Sequence, residues 1–368
     1  MQRWSAAHMG YKLYVPSATA AADIARRFNL MVVARGEFDA YETEMHAANP
    51  LLKTLVYLNG TYGGTSPTAY PDAWYAHDAN GNKIQSKLFN NYLMEVANPA
   101  WADDRAALCT QLLASSHADG CYADMMGVSS LNPNYCTGLA INPATGKVWV
   151  WADYLRATGF IADKIRAASP DRPLAGNGLG NGTRFYSGIR SSKDNLKYLD
   201  AGHSEIWLRD GRTPLTGFPD EVTWKKNVDM LRDAASVGQG VIMAQTKVWI
   251  PATRAQFDQW HKYALASFLL GNDGRSWFTF SEAKTLAAAT IDHPWDRVDV
   301  GVATGTYEHV GAVYQRSFTM GFAAVNPTSA PATVTLPPGV YTNLAGETVT
   351  SETLPPHTGD VFTLTPTH

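Results

Sequence analysis

The stretch Asp119-Gly120-Cys121-Tyr122-Ala123-Asp124-Met125-Met126 is a short apolar run ending in a carboxylate, and reading outward from it decides the fold. Before it, Asn98-Pro99 opens a helix carrying Trp101, Leu108 and Leu112. After it, a segment starting at Trp151 sets Leu155, Ile161 and Ile165 on one face. A strand flanked on both sides by amphipathic helices is one unit of a parallel α/β sheet. The alternation recurs, with strands predicted at Tyr11–Val15, Leu30–Ala34, Thr54–Leu58, Cys121–Met125, Pro173–Asn177, His203–Leu208, Val241–Thr246 and Trp277–Phe280. Further helices open at Thr223, with Trp224, Val228 and Leu231, and at Thr253, with Phe257, Trp260, Ala264 and Phe268. Eight such units predict a (β/α)8 TIM barrel over residues 1–298.

Two connections exceed the usual handful of residues. One runs from Asn59 to Asn98 and is rich in Gly, Asn, Pro, Tyr and Trp. The other runs from Met126 to Val150 and carries Asn132-Pro133 and Asn142-Pro143. Both follow strands, and in a barrel such loops build the active-site face, so they predict walls around a cleft. Composition changes near residue 300. From Gly301 onward only five residues are charged, while 14 are threonine, and short β-prone runs alternate with Pro337-Pro338-Gly339, Gly346 and Pro355-Pro356. A small antiparallel β-sandwich over residues 299–368 is expected.

The net charge of −3 gives no basic excess to neutralise phosphates, so a nucleic-acid partner is not expected. No apolar run is long enough to span a membrane. Charged residues are 17% and aromatics 11%, a balance suited to a neutral ligand with apolar faces and hydroxyl edges. Cys109, Cys121 and Cys136 are odd in number and too few for a disulfide framework, which predicts buried free thiols, with one bridged pair as the alternative. Metal-ligand motifs such as Cys-x-x-Cys and His-Glu-x-x-His are absent from the sequence, and neither a metal nor a cofactor is expected. Met1–Gly10 has no charged region followed by an apolar stretch, so no signal peptide is expected.

In a barrel, functional side chains project from the C-terminal ends of the strands. Asp124 ends the fourth predicted strand and Glu205 lies in the sixth, both inside otherwise apolar sequence. Burying a carboxylate there is costly and asks for a reason. A salt bridge to Arg209 or Lys247 would satisfy one of them; two acids on alternate strands of one barrel point instead to catalysis. Glycosidic cleavage requires such a pair, one carboxyl to protonate the leaving oxygen and one to attack or to activate water. Glu37, Asn59, Asp78, Asn177, Trp207, Arg209, Gln245, Lys247 and Trp249 are the candidate substrate-binding residues, with amides for hydroxyls and indoles for sugar faces. Gly176-Asn177-Gly178-Leu179-Gly180-Asn181-Gly182 lacks the Gly-x-Gly-x-x-Gly spacing of a dinucleotide site, and no Gly-x-Ser-x-Gly elbow exists.

The segment Asp119–Asp124 resembles the DGVFLD pattern of a group of (β/α)8 glycoside hydrolases related to the endo-α-1,4-polygalactosaminidase type and, more distantly, to the α-galactosidase clan. Similar to that group are also Trp74-Tyr75 with Asp78-Ala79-Asn80-Gly81-Asn82, and Val96-Ala97-Asn98-Pro99-Ala100-Trp101. Asn177-Gly178, Glu205 and the tail segments Tyr314–Phe318, Val325-Asn326-Pro327 and Leu354-Pro355-Pro356 match as well. Cys121 and Tyr122 depart from the pattern without touching the carboxylates. The resemblance implies Asp124 as nucleophile, Glu205 as general acid/base, an α-linked glycan as substrate and retention of anomeric configuration. A polysaccharide substrate in turn suggests a secreted or cell-surface setting. The rival readings are a carbohydrate-binding barrel without catalysis, and a transglycosylase or sugar isomerase.

Overall fold

The computed structural model describes residues 5–8 and 17–365. Eight parallel strands form one sheet in chain order: β1 (Ala6–His8), β2 (Leu30–Val33), β3 (Lys53–Asn59), β4 (Gly120–Asp124), β5 (Leu174–Asn177), β6 (Ala201–Ser204), β7 (Ile242–Lys247) and β8 (Trp277–Ser281). A parallel bridge between Ser5 and Phe278, with Thr279 Oγ1 donating to the Ala6 carbonyl at 2.8 Å, joins the last strand to the first. The sheet is a closed barrel. The strand expected over Tyr11–Val15 lies outside the described residues. The sixth strand ends at Ser204, and the chain turns before Leu208, so Glu205 sits on the barrel rim rather than within the strand.

Side chains alternate along each strand between the barrel interior and the helix layer. Leu30, Val32, Leu55, Tyr122, Ala175, Ala201 and Met243 fill the interior, with Tyr57 and Trp277 packed against them. Met31, Val33, Val56, Leu58, Cys121 and Ala123 face outward into a core shared with α1 (Ala18–Ala25), α2 (Glu42–Ala48), α3 (Pro99–Ser116) and α4 (Trp151–Ala168). Beyond the short α5 (Gly182–Phe185), Ile242, Ala244, Phe278 and Phe280 pack on α6 (Glu221–Asp233) and α7 (Arg254–Gly271). Each such fully buried aliphatic or Phe side chain contributes about 1.5–3 kcal/mol. The helices start where local chemistry provides caps: Asn98 Oδ1 accepts from Ala100 N, and Thr253 with Gln256 forms a capping box. The cap of α6 is Asp220, three residues before the expected Thr223.

Two of the three cysteines do not remain free thiols. Cys109 on the inner face of α3 meets Cys121 on the outer face of β4, and the two form a disulfide with Cα atoms 6.2 Å apart. Their pairing follows from helix-on-strand packing, which spacing in sequence does not display. Cys136 is free and buried, its sulfur 3.1 Å from the Tyr62 hydroxyl.

Beyond residue 300 a six-stranded antiparallel sheet carries Val313–Phe318, Gly321–Asn326 and Thr358–Leu364, and a two-stranded sheet pairs Ala332–Thr335 with Ser351–Leu354. One face of the larger sheet (Tyr314, Phe318, Val325, Val361) shares a core with Trp224, Leu265 and Phe268 of the barrel helices. The other face (Val313, Phe322, Ala324, Phe362) packs on Val334 and Leu354 of the smaller sheet. Val300, Tyr314 and Phe318 belong to the shared core, whereas Val302 is exposed. Polar ties cross the same junction: Lys262 Nζ to Asp360 Oδ2, and Arg316 Nη1 to the carbonyls of Leu269, Leu270 and Asn272 at the end of α7.

Candidate active site

The inward-facing residues at the C-terminal ends of β3, β4, β5 and β7 are Asn59, Asp124, Asn177 and Lys247, and Glu205 adjoins them just past β6. The register that places Asn59 beside Asp124 also brings Tyr57 level with Tyr122 one layer deeper. Asp124 is held by three donors: the Tyr57 hydroxyl on Oδ2 at 2.7 Å, and Asn177 Nδ2 and the Met125 backbone N–H on Oδ1 at 2.9 and 2.8 Å. The same Asn177 nitrogen donates to Glu205 Oε2 at 2.9 Å. Two oxygens each 2.9 Å from one nitrogen are at most about 5.8 Å apart, and about 5 Å apart at the ~120° between the N–H bonds of an amide. Asn177 therefore clamps the two carboxylates together. The other oxygen of Glu205 accepts from Lys247 Nζ at 3.1 Å, and Lys247 lies 3.7 Å from Asp210 Oδ1.

Burial pushes the Asp124 carboxyl above the ordinary range, and the negative charge of Glu205 adds to it; the Tyr57, Asn177 and Met125 donors pull the other way. The Tyr57 phenol is raised as well, by its own burial and then by Asp124, so it stays a proton donor to the carboxylate.

The backbone around Asp124 is tightly built. Met125 has φ +62°, a left-handed conformation rare for a non-glycine residue, and its N–H points back at its neighbour's carboxylate. Met126 N donates to the Asn177 carbonyl at 2.7 Å, and Gly60 N to the Asp124 carbonyl at 2.8 Å. Just above, the loops leaving β4 and β5 cross at Gly127 and Gly178. A Cβ on Gly127 would lie 2.3 Å from the Gly178 carbonyl, and one on Gly178 would lie 2.2 Å from the Gly127 nitrogen, at φ +146°. Only glycine fits on either side.

Asn59, Asn177, Lys247 and Trp249 thus gather around the carboxylates. Asn59 Oδ1 caps the following turn by accepting from Tyr62 N, while its Nδ2 reaches the Tyr57 hydroxyl at 3.5 Å. Trp249 is anchored by Nε1 donating to Ser281 Oγ and by its backbone N donating to the Gly211 carbonyl, both at 2.9 Å, with Lys247 Nζ 4.4 Å from its ring centre. Gln245 lies in the barrel interior two residues below Lys247 and is 1% exposed. Four other candidates are not brought to the carboxylates. Trp207 is fully buried in the helix layer against Phe268, its Nε1 on the Asn227 carbonyl, because the chain has already turned at Glu205. Arg209 is buried, its guanidinium over the Trp260 ring and bonded to the Thr213 carbonyl. Asp78 holds its own turn by accepting from the N–H groups of Asn80 and Asn82. Glu37 Oε2 accepts from Ala34 N and closes the turn after β2.

Two residues of the cluster escaped the sequence reading. Tyr57 is two positions before Asn59 on the same face of β3, so strand alternation alone could have found it. Lys284 lies 5.8 Å from the Trp249 ring centre and 5.4 Å from that of Phe89, which the long loop after β3 delivers across the mouth; no sequence pattern announces that contact.

Comparison with known proteins places this architecture. No curated protein sequence matches the chain. Amy13B of Eubacterium rectale superposes with a TM-score of 0.58 at 11% identity, covering 100% of this chain and 96% of its own. An Anoxybacillus α-amylase gives 0.55 at 13% identity, covering 94% and 89%. The GH36 α-galactosidase AgaA of Geobacillus stearothermophilus gives 0.52 at 11% identity, and the chain spans 99% of itself but 56% of that enzyme. At such identities the likeness is one of fold: a (β/α)8 barrel followed by a β-sheet domain. Residues 46–322, about three quarters of the sequence, match the family described as hypothetical glycosyl hydrolase family 15. The matched segment holds β3 through β8 with both carboxylates, and the chain belongs to that glycosyl hydrolase family.

Proposed function

We propose that the protein cleaves an α-linked poly- or oligosaccharide by a retaining double displacement, with Asp124 as nucleophile and Glu205 as general acid/base. One observation carries this reading: the two carboxylates share a single Asn177 nitrogen. Retaining enzymes hold their carboxyl groups about 5–5.5 Å apart, whereas inverting enzymes keep about 6.5–9.5 Å open for a water. A ceiling of about 5.8 Å between the bridged oxygens favours the first class.

In the first step Asp124 attacks the anomeric carbon while Glu205 gives its proton to the departing oxygen. In the second, Glu205 takes a proton from water, the oxygen of that water attacks the same carbon, and Asp124 is released. The Tyr57 and Met125 donors hold the Asp124 oxygens in place throughout. Asn59, Asn177, Lys247 and Trp249 stand where they can meet sugar hydroxyls. A non-catalytic carbohydrate-binding barrel would fit best if ion pairs neutralised both carboxylates; here Lys247 pairs with Glu205, and Asp124 has hydrogen-bond donors instead.

A panel of α-linked polysaccharides screened for cleared product identifies the substrate. Proton NMR of the first product, recorded before mutarotation, tests the stereochemistry. The α-anomer is expected first; an initial β-anomer means that water attacks directly and Asp124 is a base.

A further inference from the structure

The segment that carries Glu205 and Asp210 is long and irregular, and what fixes it lies partly outside the barrel. After β6 the chain runs through Arg209, Asp210 and Gly211 to Phe218 before α6 begins. Phe218 is sandwiched between two flat rings: Trp260 of α7, with centroids 4.0 Å apart and planes 8° apart, and His357, with centroids 4.7 Å apart and planes 6° apart. Trp260 is buried and also receives the Arg209 guanidinium, 4.6 Å from its ring centre. His357, Phe218, Trp260 and Arg209 thus form a continuous row of planar groups from the β-sheet domain to the barrel rim.

The tail motifs build the outer end of this row. Asn326 Nδ2 donates to the carbonyls of Leu354 and Pro355, which fixes the Pro355-Pro356 turn. His357 follows that turn at φ +49°, with its N–H on the Thr328 carbonyl. Gln259, next to Trp260, donates to the Pro356 carbonyl at 3.1 Å and so ties the turn to α7. At the inner end, Trp260 Nε1 donates to the Leu215 carbonyl at 3.0 Å, and Arg209 bonds the carbonyls of Asp210 and Thr213. The fold of this loop sets Asp210 beside Lys247, and Lys247 holds Glu205.

We infer that His357 and Phe218 are positioning residues, through which the β-sheet domain fixes the loop that holds the acid/base side of the catalytic site. The inference rests on the proposed role of Glu205 for its functional meaning, but not for its physical test.

That test is hydrogen exchange of the full chain, compared between the native protein, His357→Ala and His357→Phe. Loss of one stacked ring should speed exchange in residues 206–217 by roughly three- to tenfold, the factor expected from one aromatic pair. Strands β3 and β4 should be unaffected, and His357→Phe, which restores a flat ring, should return the loop to native protection. On the substrate found in the polysaccharide screen, kcat of His357→Ala should fall by a similar factor with KM little changed, and His357→Phe should recover it. Unchanged loop exchange in a folded His357→Ala protein overturns the inference. So does faster exchange that His357→Phe fails to reverse, because the turn rather than the ring would then be responsible. If His357→Ala does not fold, Phe218→Leu replaces it, with Phe218→Tyr as the rescuing variant and the same criteria. Loop protection that responds as expected in a protein without glycosidase activity would retain the mechanical inference and reject the catalytic one.

Discussion

Strands β4 and β6 each carry an acid at both ends, five residues apart: Asp119 and Asp124 on one, Asp200 and Glu205 on the other. At the N-terminal end of the barrel the acids are satisfied as structural groups usually are. Asp119 Oδ2 accepts the Thr54 backbone N–H and Oδ1 meets Lys53; Asp200 accepts the Leu174 N–H and meets Arg166. Each is paired with a cation and stitches its strand to the preceding one. At the opposite end the two acids are drawn together around one amide nitrogen, and the Asp124 carboxyl is pushed upward. On the function proposed above, carboxylates on the same strands do different work at the two ends. Glu205 too has a countercharge in Lys247, so what sets the upper pair apart is the approach of one carboxylate to another across Asn177.

The largest test of this contrast is substitution at both ends. Asp124→Asn and Glu205→Gln should each lower turnover by about 10³-fold or more, as loss of a nucleophile or an acid/base does, without a change in circular dichroism. Asp119→Asn and Asp200→Asn should leave kcat within about twofold. Substrates with a good leaving group should preserve the first step in Glu205→Gln better than the second. A folded, active Asp124→Asn protein would break the comparison at the end where catalysis is proposed.

A second effect concerns titration. Because burial and Glu205 hold the Asp124 carboxyl up, the acid limb of the kcat/KM profile should lie above the ordinary aspartate range. Tyr57→Phe removes a donor that stabilises the ionised form and should move that limb still higher. An acid limb that stays put in Tyr57→Phe would assign it to another group.

Away from the Asp124–Glu205 pair, Glu42 and Glu95 are both pushed up to about 7 by burial. In the folded state each keeps a proton that the unfolded chain loses near pH 4.5, so stability is fully present below that pH, falls as pH rises toward 7 and then levels off. Each contributes a fall of up to about 3 kcal/mol. Thermal melts of Glu95→Gln should show a shallower decline between pH 5 and pH 8 and a higher melting temperature at pH 8.

The disulfide lies on the outer face of β4, between the two ends. The double variant Cys109→Ala/Cys121→Ala should lose about 2–3 kcal/mol of stability. Thiol titration of the unfolded, unreduced protein should find one reactive cysteine of the three. The smallest effect belongs to the structural acids, where Asp119→Asn should cost about 1 kcal/mol, measured by denaturant unfolding.

The barrel was legible because its signals are local and repeated. Apolar strands, capped helices and acids at strand ends survive in a linear reading. Asp124 and Asn177 are legible because they end apolar strand runs, and Glu205 because it interrupts an apolar run just past a strand. Trp207 is misplaced by the sequence because the apolar run carries the expected strand four residues past its observed end, and the turn at Glu205 sends the indole outward. The disulfide, the row from His357 to Arg209 and the Phe89–Lys284 contact join residues far apart in sequence and carry no periodicity to betray them. Of the family-like motifs, Asp78 holds a turn and Asn98 starts a helix, the latter as its Asn-Pro sequence predicts, so a shared motif marks architecture as readily as chemistry.

The glycine contact between the β4 and β5 loops has a consequence for how this barrel could be altered. With Gly127 and Gly178 backbone against backbone, neither loop can accept a side chain at the crossing without displacing the other. Loop grafting, the usual route to new specificity on this scaffold, would have to exchange residues 125–128 and 177–180 as one cassette. Variation should instead concentrate in the long insert after β3 and in the loops after β7 and β8, which bring Phe89, Trp249 and Lys284 together through side chains alone.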